Sequence, residues 1–204
     1  MRIGIVGTGH IGGTAAKLFA KAGHHVAVSN SRGPATLASL SSSIGPNAKA
    51  TSVIEAVKFG EAVLLSLPYR KMDELPPAES FAGKIVIDAM NAYSGVGRVM
   101  DLGDSTSSEE VAKQMPAARL VKAFNTMGWN TLASGSRPAR EERLVVFIAG
   151  DDASAKATVA KLIDEIGFAS IDTGSLRDGG RRQQPGSPIY GRPMTVREAK
   201  KILG

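Results

Sequence analysis

The chain has 204 residues, 43% of them apolar, a formal net charge of +6 and no cysteine. That length suits one globular domain with at most a small appendage, and the absence of cysteine excludes disulfides, thiol catalysis and cysteine metal sites. Basic side chains are scattered, with small groups at 137–143 and 177–182, and no basic stripe interleaved with aromatics points to nucleic acid. No apolar run approaches a membrane span, and the chain opens directly on an apolar strand pattern without a leader, so a cytoplasmic location is expected.

The first apolar run, RIGIV, ends in Gly7-Thr8-Gly9-His10-Ile11-Gly12, and a helical pattern follows over 11–22. Strand, G-x-G-x-x-G, helix and second strand within one short unit is the context in which such glycines bind a dinucleotide. Gly7 permits the tight turn, Gly9 lets a pyrophosphate approach the backbone, and Gly12 lets the helix pack on the strand. The N-terminal N–H groups of the helix then face the phosphates. Lys21 lies in the last turn and Gly23 stops the helix. His10 contributes through its backbone, whereas His24 and His25 are expected at the surface, away from the site.

The second strand ends in Ser29-Asn30-Ser31-Arg32, with no carboxylate where an NAD-preferring site carries one. Arg32 can pair with a 2′-phosphate or stack on adenine, and Asn30 and Ser31 can donate further bonds. This predicts NADP(H).

Downstream, helical and strand patterns alternate as βαβ units should. A small-residue helix is expected at 36–43, a strand at 48–51, a helix at 53–59 and a buried strand at 62–66. Leu67-Pro68-Tyr69 leads into a short helix at 70–75, stopped by Pro76-Pro77. Strand 84–88 runs into Ala89-Met90-Asn91-Ala92-Tyr93, and 94–105 is a glycine-rich loop. Thr106 and Glu109 make a capping box for the next helix. Strand 120–124 is followed by Asn125-Thr126-Met127-Gly128-Trp129, and 134–142 is a polar loop. Strand 144–149, helix 152–166 and strand 169–172 complete the alternation, followed by an irregular tail at 183–192 and a terminal helix at 195–203. The expected fold is a doubly wound, mostly parallel α/β sheet over 1–173 with a C-terminal extension over 174–204.

Ligands of such sheets bind beyond the carboxyl ends of the strands. Leu67, Pro68, Met90 and Asn91 therefore belong with the glycine loop and Asn30–Arg32 as cofactor-binding candidates. Asn91 and Asn125 are candidate catalytic or carboxamide-holding amides, or else turn residues hydrogen-bonded to their own backbone. Tyr69 and Tyr93 read as half-buried rim aromatics. Trp129 either roofs a planar substrate or packs in the core. No Ser–Tyr–Lys or His–Asp arrangement stands out and no metal site is expected, which suits hydride transfer governed by positioning.

RIGIVGTGHIG, SNSRGP, VLLSLPY, KIVIDAMN, RLVKAFNTM, VFIAGDD and GFASIDTGSL together resemble the NADP oxidoreductase coenzyme F420-dependent family, over nearly the whole chain. The reductase domain of metalloreductases of the STEAP type is similar too. The resemblance implies a Rossmann-type domain, commonly a homodimer, with NADP(H) along the strand ends. It places residues 8–11 at the pyrophosphate, Ser31 and Arg32 at the 2′-phosphate, and Leu67, Pro68, Met90 and Asn91 on the nicotinamide side. Family members that reduce F420 carry His where this chain has Asn125, so the acceptor stays open among F420, FMN or FAD and a small carbonyl or imine compound. A non-catalytic NADP(H)-binding redox sensor is the reading from another class. The 183–190 segment is expected to cross to a partner subunit and close the acceptor site.

Overall fold

The computed structural model describes residues 1–95, 97–139 and 142–204. The expected loops at 94–105 and 134–142, and the basic group at 137–143, therefore fall partly outside the described residues. Among the described residues eight strands alternate with helices: β1 (Arg2–Val6), α1 (His10–Lys21), β2 (His25–Ser29), α2 (Ala38–Ile44), β3 (Ala48–Ala50), α3 (Val53–Phe59), β4 (Ala62–Leu65), β5 (Ile85–Asp88), α4 (Ser107–Gln114), β6 (Arg119–Lys122), α5 (Trp129–Ser134), β7 (Val145–Ile148), α6 (Ala153–Glu165), β8 (Ala169–Asp172), α7 (Asp178–Arg182) and α8 (Val196–Leu203). Short 3₁₀ turns at Pro34–Leu37, Tyr69–Glu74 and Ala78–Phe81 fill the links.

Six strands form one sheet in the order β3-β2-β1-β4-β5-β6, paired parallel throughout. β7 and β8 form a second parallel pair. The pair is tied to β6 by an antiparallel bridge, Lys122 with Ala149. This is the expected Rossmann-type, mostly parallel architecture. Alternation along each strand divides the core. Ile3, Ile5, Leu64 and Ile87 face α1 and α6, while Val63, Leu65 and Val86 face Val57 of α3 and Val111 of α4. Strands buried on both faces carry almost no polar residue, which is why they are legible as apolar runs.

Helix starts follow local chemistry. Ser52 with Glu55, and Thr106 with Glu109, close capping boxes on α3 and α4. Asp152 caps α6 by accepting from the Ala155 N–H at 2.9 Å and is gripped by Arg119. Arg119, followed by these cap bonds, holds the Asp152 carboxyl well below the usual carboxylate range.

Several expectations need correction. Helices α5 and α7 lie in stretches for which no element was expected, and residues 34–37 form a 3₁₀ turn ahead of a helix that starts only at Ala38. The link expected as a helix at 70–75 is a 3₁₀ segment, kinked at Lys71. His25 is exposed, but His24 is not a surface residue: it is 7% exposed. It stands edge-on to Phe19, with Nε2 3.0 Å from Glu165. The turn at Gly23 swings it under α1 beside the end of α6. The 183–192 tail is irregular, as expected, but it packs against its own chain. The Gly191 N–H donates to the Thr126 carbonyl at 2.8 Å, and Ile189, Met194 and Ala199 cover Val145 and Phe147 of β7. No helix among the described residues is long and apolar enough to cross a membrane.

Candidate functional site

The chain runs outward from β1 to β2 and β3, then returns to β4 on the other side of β1. The loops leaving β1 and β4 therefore diverge and open a crevice at the switch point. A cleft of about 800 Å³ occupies it, walled by Gly7, Thr8 and Gly9, by Asn30, Ser31 and Arg32, and by Leu67 and Pro68. A second cleft of about 340 Å³ shares Leu67 and Pro68 and continues past Tyr69, Arg70, Met90, Asn91 and Tyr93. Each cleft is thus built from loops far apart in sequence.

The glycine loop is sterically determined. Gly7 has φ +92°, and a Cβ there would lie 2.3 Å from the Ser66 carbonyl oxygen. A Cβ at Gly12 would lie 2.0 Å from the Gly7 carbonyl oxygen. Neither position tolerates a side chain. Gly9 differs: a Cβ there would meet nothing within 4 Å, so its missing side chain leaves space on the cleft wall. Gly9 is also the N-cap of α1, with no side chain capping the helix and no acid in its first turn. The first N–H groups of α1 thus lack a side-chain acceptor, and the positive end of the helix dipole suits an anion. A dinucleotide pyrophosphate fits this cradle.

At the end of β2, the Asn30 carboxamide organises the loop: its oxygen accepts the Arg32 N–H at 2.9 Å and its Nδ2 donates to Thr36 at 3.0 Å. Arg32 is exposed and carries no ion pair among the described residues. Lys71 and Glu74 also line this cleft but neutralise each other at 2.7 Å. Arg32 is therefore the uncompensated cation of the adenosine end, suited to a phosphate monoester.

The second cleft rests on a buried ion pair that no periodicity revealed. Asp88 and Lys122 are register partners at the ends of β5 and β6, both 0% exposed, with Nζ 3.0 Å from Oδ2. Asp88 also accepts the Met90 N–H at 2.9 Å and the Ser108 hydroxyl at 2.8 Å, while Lys122 donates to the Met90 carbonyl and to Ser107. Both polar groups of the Met90 backbone are thereby clamped. The available signal was an acid and a base, Asp88 and Lys122, set among the apolar residues of KIVID and LVKAF.

Not every predicted site residue reaches a cleft. Gly12 packs inside, and Ile11 packs against the main core. The His10 ring stacks on Trp129, centroids 4.6 Å apart. Trp129 is 42% exposed, so it does not pack in the core. Asn125 is 6% exposed and lines neither cleft. It follows Phe124, the one non-glycine with positive φ (65°) among the described residues, a strained turn that points the chain inward. Its Nδ2 donates to Asn91 Oδ1 at 3.0 Å and to the Gln183 carbonyl at 2.8 Å. Asn91 Nδ2 in turn donates to the Asn125 carbonyl at 3.0 Å and to the Tyr190 hydroxyl at 3.2 Å. The reading of the two amides as turn residues bonded to their own backbone does not hold: Asn91 donates to the Asn125 carbonyl and Asn125 to the Gln183 carbonyl, both far away in sequence. Tyr69 is buried on the cleft wall, and burial, with Glu110 and Asp88 nearby, pushes its phenol up to about 12. Among the described residues no cluster of three or more His, Asp and Glu could hold a metal.

The model of the family described as NADP oxidoreductase coenzyme F420-dependent matches residues 2–92. A hypothetical protein from Sinorhizobium meliloti is 33% identical, with a TM-score of 0.84, covering 96% of this chain and 95% of that one. A protein assigned as an F420-dependent NADP reductase from Arthrobacter sp. FB24 is 27% identical, with a TM-score of 0.74 and 86% of both chains covered. Metalloreductase STEAP3 of Rattus norvegicus is 32% identical over 178 residues, 86% of this chain, which spans only 34% of that relative's length. The matched segment holds the glycine loop and the cleft loops as far as Asn91, and over it the chain is similar to the NADP oxidoreductase coenzyme F420-dependent family, a family of NADP(H)-dependent oxidoreductases.

Proposed function

We propose that this chain binds NADP(H) along the two joined clefts and transfers hydride between its nicotinamide and a flavin or deazaflavin acceptor such as FMN, FAD or F420. The observation that carries the reading is the switch-point cleft with an unpaired Arg32 at one end and the open Gly9 cradle in the middle. In this reading the backbone of Thr8, Gly9, His10 and Ile11 holds the pyrophosphate. Arg32 and Ser31 hold the 2′-phosphate, with Asn30 shaping their loop. Leu67, Pro68, Met90 and Asn91 form the nicotinamide end. The bound cofactor supplies the hydride. The protein orients it, and the Asp88–Lys122 clamp keeps the Met90 segment from shifting. Arg70, exposed in the second cleft without an ion pair among the described residues, favours an acceptor with negative charge, as flavin phosphates have. Residues 1–173 act as the cofactor domain in this reading and 174–204 as its extension, in a cytoplasmic homodimer.

The test is NADPH oxidation by the purified chain with F420, FMN, FAD and a panel of carbonyl and imine compounds. Turnover with a flavin or deazaflavin is expected. Tight NADPH binding without turnover would favour the sensor instead. Arg32→Ala is expected to weaken NADPH by roughly 10- to 100-fold, the worth of a charge-assisted contact, and to leave NADH nearly unchanged. Equal losses for both cofactors would remove Arg32 from the 2′-phosphate.

A further inference from the structure

We infer that Arg70 anchors the phosphate ester of the acceptor, so that the site takes phosphorylated flavins in preference to the same ring without phosphate; this rests on the flavin-acceptor reading above. Arg70 is the one charged side chain on the walls of the second cleft among the described residues. Its base is fixed: the Lys71 N–H closes the turn on the Pro68 carbonyl at 2.8 Å, and Tyr69 and Met72 are buried beneath it. The same turn serves both clefts. Lys71 and Glu74 face the first, where they neutralise each other, and Arg70 faces the second. The Arg70 guanidinium reaches the opposite wall. A Cβ added to Gly95 would lie 3.9 Å from its Nε and 4.0 Å from its Cζ. That wall is pinned as well, because Tyr93 bridges Val99 and the Ser94 N–H donates to the Arg98 carbonyl at 2.8 Å. The side chain therefore spans the cleft from the loop after β4 to the loop after β5.

The charge is uncompensated. The Asp88–Lys122 pair behind the Met90 segment carries no net charge, no carboxylate lines the cleft, and Arg70 makes no ion pair among the described residues. Ala89 and Met90 on the same walls are buried, whereas Arg70 is exposed. Apolar surface thus lies inside and the cation at the mouth. A flavin that enters ring first presents its side-chain phosphate at that mouth. A guanidinium suits it, because two parallel N–H groups meet two phosphate oxygens. Neutral carbonyl and imine compounds gain nothing from this contact, so Arg70 sorts acceptors by their charge.

FMN and riboflavin carry the same ring and differ by the phosphate. Each is titrated into the NADP⁺-loaded protein and followed by quenching of flavin fluorescence, so that binding is read without turnover. The wild type is expected to bind FMN about tenfold more tightly than riboflavin, as a charge-assisted bond should give. That preference should shrink in high salt. Arg70→Ala is expected to bring FMN to the riboflavin level, and Arg70→Lys to keep part of the preference. Equal affinities for FMN and riboflavin in the wild type, or a preference that survives Arg70→Ala, overturn the anchor, as does failure to bind either flavin. NADPH is titrated separately without flavin. A tenfold loss of NADPH affinity in Arg70→Ala would assign the guanidinium to the phosphates of the cofactor and overturn the anchor too. Arg70-dependent FMN binding without NADPH oxidation leaves the phosphate contact standing and removes the hydride-transfer reading.

Discussion

Single residues divide between those that make the ligand site and those that make its walls, and side-chain type alone does not separate them. Asn30 and Asn91 are both amides next to a cleft, yet each directs its hydrogen bonds to a loop. The Arg32 guanidinium is not tied up in this way and is the better candidate for a ligand contact. His24 illustrates the same division away from the site. Burial, opposed by Glu165, lowers its pKa, with the N-terminal amine and Lys161 adding repulsion to the charged form. The unfolded chain therefore binds a proton at a higher pH than the folded one. Stability is retained above the unfolded value of about 6.5 and falls as the pH drops from there through the folded value. Melting temperature should decline on acidification through that window in the wild type, and less so in His24→Phe, which lacks this buried imidazole.

At the scale of elements, the loops after β5 and β6 are held by one buried pair and one strained turn. Breaking the pair on one side is costly because the remaining charge stays buried without a partner. Lys122→Met is expected to destabilise the fold by about 3–5 kcal/mol in chemical denaturation. Adding Asp88→Asn should recover part of that loss, because the double variant buries no net charge. The Thr106–Glu109 capping box was legible because its spacing is local, needing only one turn of chain, and the Ser52–Glu55 box, which was not read in advance, has the same spacing. The Asp88–Lys122 pair was not legible, because its members are 34 positions apart and meet only through strand register. Helix α5 was missed for a related reason. Its six residues are too few to show a period, and its placement depends on packing: Leu132 is buried while Trp129 leans on His10.

Across the whole molecule, the C-terminal 31 residues are structural as well as local to the site, spanning 174 to 204. Leu144 bridges Thr195, the Val145 N–H donates to the Met194 carbonyl at 2.9 Å, and Ile189, Met194 and Ala199 seal the outer face of β7. A chain truncated after Thr173 would expose Val145 and Phe147 to water, each worth about 1.5–3 kcal/mol when buried. It should lose cooperative unfolding, or melt at a much lower temperature, when followed by circular dichroism. A truncated chain as stable as the full one would show that β7 and β8 stand without this cover.

The amino-acid sequence by itself determined the alternating α/β plan, the glycine loop, the basic end of β2 and the family resemblance, because each of these is written in contiguous residues or short periods. Only the tertiary structure decided which of the candidate residues face one another. It drew Asn125 into the interior, put Lys122 beneath the Met90 backbone, stacked Trp129 on His10 and brought Tyr190 to Tyr93. These are contacts across 34, 32, 119 and 97 positions. Partners so far apart are selected by strand order, register and the return of the tail, which no local pattern encodes.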